Sequence, residues 1–97
     1  MPTYELPISK ELAGQSINLN GFPQLEIIYL RGSARICPRM AQCFLADEVS
    51  ITFLVDGEVA TVFSHQRDPT TTETGFLLRG HEYQTKNGQI YLTFSVY

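Results

Sequence analysis

The chain has 97 residues, 43% of them apolar and only 18% charged, with a formal net charge of −3. That length holds one domain, residues 1–97, with a modest core, and the acidic balance argues against a broad basic face for nucleic acid. Apolar runs such as Phe53-Leu54-Val55 are far too short to cross a bilayer, and the first residues lack the basic and apolar stretches of a signal peptide. Cytoplasmic synthesis without membrane attachment is therefore expected.

Residues 1–23 are the least regular part. Ser9 is placed to cap a single helical turn ending at Gly14, with Leu12 as its apolar anchor. Ser16-Ile17-Asn18-Leu19 alternates as a short strand closed by Asn20-Gly21. Pro7 and Pro23 have no amide hydrogen to donate, which keeps this region out of a central ladder and predicts an N-terminal arm or edge element. Leu25 to Arg31 reads as a strand apolar on both faces, with Leu25, Ile27 and Tyr29 on one side and Ile28 and Leu30 on the other. Gly32-Ser33 is then expected to turn the chain back, setting Tyr29 opposite Ile36.

Pro38 to Glu48 is ambiguous: Pro38 suits a helix start and Met40, Cys43 and Phe44 recur at helical spacing, which favours a loop containing a helical turn. The clearest local signals follow. Asp56-Gly57 and Asn87-Gly88 each sit between runs of β-branched and aromatic residues, the pattern of two-residue type I′ hairpins. Register across the first turn sets Ile51, Phe53 and Val55 beside Val62, Ala60 and Glu58, a nearly continuous apolar face. Across the second, Tyr83 and Thr85 pair with Leu92 and Ile90, and His81 with Phe94. Its reverse face offers Gln84 and Lys86 beside Tyr91 and Gln89, continued by Tyr97. Between the hairpins, residues 64–75 contain almost no apolar group. Such a segment is usually functional or flexible, although Thr70 to Thr74 suit an extension of the next strand. Gly80 predicts a bulge in that strand. The C-terminal strand, with no charge after Phe94, reads as an unprotected edge.

The fold class is accordingly all-β: an antiparallel sandwich or small barrel of about seven or eight strands built on hairpins. Candidate chemistry is sparse. Cys37 and Cys43 match no zinc-ligand spacing, and two buried thiols are expected rather than a disulfide. His65 and His81 lack partners at metal-ligand spacing, so no metal and no cofactor is expected. No hydrolase elbow, zinc-protease motif or phosphate-cradling glycine loop occurs, and no catalytic residues are assigned. Arg31, Arg35 and Arg39 are three of the seven basic residues within nine positions, which suits solvated charge or ion pairs to a neighbouring subunit. Tyr83, Tyr91 and Tyr97 are candidate contact rings, and Arg67 and Thr71 are candidate contacts from the 64–75 loop. The expected function is a non-enzymatic module that self-associates or docks on a larger protein assembly, with a virus or phage particle as one setting. A carbohydrate- or small-ligand-binding domain and an enzyme inhibitor using the 64–75 loop are the alternatives.

Overall fold

Both two-residue turns hold the geometry their residues favour. In a computed structural model, which describes residues 2–97, Asp56 and Gly57 have φ of 49° and 84°, and Asn87 and Gly88 have φ of 52° and 77°. Positive values at both central positions are the type I′ requirement. The first turn joins β4 (Glu48–Val55) to β5 (Glu58–Phe63), and the second joins β7 (Leu77–Lys86) to β8 (Gln89–Val96). Their registers, Phe53 opposite Ala60 and Tyr83 opposite Leu92 among others, are those the alternation dictates.

The remaining strands are β1 (Thr3–Pro7), β2 (Ser16–Ile17), β3 (Ile27–Arg35) and β6 (Thr70–Thr71). They complete two antiparallel sheets ordered β1-β8-β7-β6 and β2-β3-β4-β5, a sandwich of eight strands and not a closed barrel. Tyr29, Val49, Ile51, Phe53 and Val62 of one sheet meet Leu78, Leu92, Phe94 and Val96 of the other, all essentially inaccessible. Phe53 joins the layers: its ring lies 5.3 Å from Phe94 and meets Tyr29 edge-on at 6.1 Å. Burying each such side chain contributes roughly 1.5–3 kcal/mol relative to exposure.

The chain changes sheet only twice, and at each crossing one polar side chain makes several of the ties. The first runs from β1 through a single 3-10 turn (Lys10–Leu12) that Ser9 caps by accepting from the Glu11 amide. Tyr29, on β3, donates its buried hydroxyl to the Pro7 carbonyl at 2.9 Å and accepts from the Ser9 amide at 3.1 Å. Burial pushes that phenol up from its ordinary pKa, opposed in part by the Ser9 amide. The second crossing runs from β5 to β6 and is held by Gln66. Its Oε1 accepts from the amides of Phe63 on β5 and Gly80 on β7, while its Nε2 donates to the Asp68 carbonyl and Thr70 Oγ1.

Four expectations fail here, each for a physical reason. Gly32-Ser33 is no turn: its φ is not positive, as a type II′ turn would demand, and β3 runs straight through it. Glycine stands there because a Cβ would come within 2.5 Å of the Tyr29 hydroxyl and 2.9 Å of Ile8. Tyr29 consequently pairs with Phe53, not Ile36, and a bulge at Leu30 adjusts the ladder. The C-terminal strand is no edge, since β1 zips along it from Thr3–Ser95 to Pro7–Tyr91. The edges are β1 itself, as the prolines predict, with β2, β5 and β6. Residues 38–46 form no helical turn, only a reverse turn from the Pro38 carbonyl to the Ala41 amide. Thr70-Thr71 do not extend β7 but fold back onto it as β6, through a turn in which Gly75 has φ of 94°.

The bulge expected at Gly80 is present and shifts the β7–β8 register between Gly80 and Tyr83, so Gly80 rather than His81 faces Phe94. A Cβ at Gly80 would overlap the Phe63 backbone carbonyl, whereas Gly88 faces open space. Gly80→Ala should therefore lower stability by about 3 kcal/mol or more, against about 1 kcal/mol for Gly88→Ala, whose cost is its positive φ alone. Urea unfolding of the two variants measures the contrast. In the same assay Tyr29→Phe, which keeps the ring but strands the Pro7 carbonyl and Ser9 amide, is expected to cost about 1–3 kcal/mol.

Candidate functional site

The most exposed apolar side chains lie on the loop between β3 and β4, residues 36–47. Met40 is 95% exposed, Phe44 is fully exposed and Leu45 is 62% exposed, with Ile36 nearby at 39%. Cys37 and Cys43 are joined by a disulfide and neither is buried, which corrects the expectation of two buried thiols. The helical spacing of Met40, Cys43 and Phe44 is thus a tip turned to water, with the crosslink in place of packing. Closing so short a loop restricts the unfolded chain by about 2 kcal/mol in the chain-entropy model.

Asp47 fastens the foot of this loop. Its Oδ1 accepts from the Cys37 amide at 2.7 Å and its Oδ2 from the Tyr83 hydroxyl at 2.7 Å, while Arg35 Nη2 donates to the Ala46 carbonyl. The Cys37 amide, then the Tyr83 hydroxyl, hold the Asp47 carboxyl below its ordinary pKa, and donation to Asp47 raises that of Tyr83. No local pattern marks Asp47, because its partners lie 10 and 36 residues away.

A second feature opens at the same end of β4. His65, Arg67, Arg79, His81 and Glu82 line a shallow polar hollow of about 370 Å³. It exists because the Ser64-His65 turn, with His65 at φ 54°, bends the chain from β5 onto the β7 bulge, where the His65 amide donates to the His81 carbonyl. Arg79 Nε donates to the Gln66 carbonyl at 3.0 Å, and His81 Nε2 hydrogen-bonds Ser95 Oγ at 2.9 Å. Ser95 is buried, so this serine–histidine pair offers no accessible nucleophile. Among the described residues no group of three or more His, Cys, Asp or Glu side chains is placed to hold a metal ion. A hollow of about 410 Å³ at the other end of β4, between Phe22, Leu25, Phe76 and Asp56, has no cationic side chain in its wall.

The three candidate tyrosines do not share a surface. Tyr83 packs against the core and meets the His65 ring edge-on, Tyr91 sits under Lys86 with Nζ 5.1 Å from its ring centre, and Tyr97 follows β8 with its backbone bonded to Leu77. Arg31 and Arg35 lie along β3 opposite Thr52 and Glu48, and Arg39 lies within the disulfide loop. No compact triad forms from them. Thr71 is an exposed residue of β6, and of the 64–75 candidates only Arg67 reaches the hollow.

No protein-family model matches the chain, and neither a curated protein nor a solved structure is significantly similar to it.

The two pKa shifts give the loop a defined pH window. Asp47 is lowered, so its contribution is complete above the ordinary carboxylate value of about 4 and is lost as pH falls through the lower folded value. Tyr83 is raised, so its part is complete below about 10 and disappears as pH climbs through the folded value. Amide NMR should show the Cys37 resonance moving at acid pH with the Asp47 titration, and that movement vanishing in Asp47→Asn. Hydrogen exchange of the loop amides should also be faster in the variant.

Proposed function

We propose that this chain is a non-enzymatic interaction module that self-associates or docks on a larger assembly. A virus or phage particle, as capsid decoration, adaptor or tail piece, is the setting that its size and fold class suit. The observation that carries the reading is the tip of the 36–47 loop, where Met40 stands in water within the ring closed by Cys37 and Cys43, and Phe44 and Leu45 just beyond it. Three large apolar side chains that add nothing to the core are poorly explained by folding and well explained by a partner that covers them. Aromatic, Met and Arg side chains are the types enriched where protein surfaces meet, and Arg39 stands among them. The crosslink lowers the ordering cost of binding by restricting the loop beforehand. A disulfide also persists where thiols are not kept reduced, which fits a protein made in the cytoplasm and carried out within a particle.

The carbohydrate and inhibitor alternatives have less to support them. A sugar-stacking platform needs coplanar rings on one surface, and Tyr83, Tyr91 and Tyr97 are dispersed. An inhibitory loop needs free contact groups, while Gln66 and Thr70 spend theirs on β5, β7 and each other.

Met40→Ser combined with Phe44→Ser should leave the unfolding free energy within about 0.5 kcal/mol of the parent, as for other surface changes. The pair should abolish self-association measured by light scattering, or the protein adduct formed by a photo-crosslinking residue placed at position 41 in the producing cells. A parent chain that stays monomeric at high concentration and gives no adduct from position 41 beyond that from position 87 would overturn the reading.

A further inference from the structure

We infer that the hollow formed by His65, Arg67, Arg79 and His81 is a binding site for a single small oxyanion, a phosphate or carboxylate group. The inference stands apart from the loop reading, since it rests on different residues and a different chemistry.

Charge is the first ground. The chain is acidic as a whole, yet this one hollow gathers two of its seven basic residues and both of its histidines against a single carboxylate, Glu82. Neither arginine is neutralised: among the described residues the one ion pair within 4 Å joins Lys86 to Glu5, on another part of the surface. Two guanidinium groups that line one concavity without an ionic partner repel each other and gain from an anion between them.

Geometry is the second ground. Arg79 is half-buried and its Nε is already committed to the Gln66 carbonyl. That bond fixes the plane of the guanidinium and leaves both Nη groups without an acceptor among the described residues, the arrangement that suits two parallel bonds to one oxyanion. His81 is likewise anchored, through Nε2 on Ser95, so its ring adds a wall of settled orientation. Arg67 is exposed on the facing side of the crossing and closes the site as a mobile second cation. The hollow is open and its lining polar, which fits a small ion or the terminal group of a larger molecule and disfavours an enclosed apolar ligand.

The conformation of His65 is the third ground. A non-glycine residue in the left-handed region is held there against a local cost. The turn it makes presses the crossing against the β7 bulge, and without it Arg67 and Arg79 would not line one hollow.

The test is an NMR titration of the purified protein with inorganic phosphate, acetate or chloride at matched ionic strength. Saturable shifts confined to the amides of residues 65–67 and 79–82 and to the Arg79 Nε proton are expected with phosphate, acetate or both. Phosphate alone would identify a phosphoryl ligand, and an equal response to acetate a carboxylate. Arg79→Gln should weaken the response about tenfold, the scale of losing a charge-assisted bidentate contact. Arg67→Gln, at an exposed position that the fold does not need, should weaken it several-fold, and Phe44→Ser should leave it unchanged. Shifts that chloride reproduces, or that persist in Arg67→Gln and Arg79→Gln alike, would overturn the assignment.

Discussion

A sandwich whose chain passes between sheets only twice depends on how those passages are fastened. At the second, one uncharged side chain does most of the fastening. The Gln66 amide can accept at its oxygen and donate from its nitrogen, and it uses both capacities on groups that β5, β7 and its own segment would otherwise leave unpaired. Thr70 completes the seal by donating to the Thr61 carbonyl. An edge strand with free amides and carbonyls invites pairing with another chain, and here the crossing lies along β5 instead. Tyr29 does the equivalent work at the first passage, from within the core.

Both fastenings were out of reach of pattern reading. The hairpins were legible because their determinants are adjacent: Asp-Gly and Asn-Gly supply the positive φ, and strict alternation supplies the register. The Gly80 bulge was legible for the same local reason. Gly32 misled because its role depends on Ile8, which lies far off in the chain, and on the Tyr29 hydroxyl, which the distant Pro7 and Ser9 hold in place. The placement of β8 misled because the strand that covers it begins at Thr3, at the other end of the chain.

The functional surfaces divide along the same line. Arg31, Arg35 and Arg39 are close in sequence, yet the strand and the loop spread them out. Arg67 and Arg79 are twelve positions apart, and the crossing brings them to one concavity. The disulfide is illegible for another reason: the spacing of Cys37 and Cys43 does not reveal that no residue of the loop is buried, so that a crosslink stands where packing would. Tyr83 connects the two surfaces physically, with its hydroxyl on Asp47 at the foot of the loop and its ring against His65 at the hollow.

No residue from 36 to 47 is buried, and the segment returns to the body through Asp47 and the rungs above it. Folding therefore asks almost nothing of the identities at its tip, so long as the two cysteines and the aspartate remain. A segment so insulated behaves as an exchangeable cassette: its lettering can be rewritten, by drift or by design, while the scaffold beneath keeps its shape.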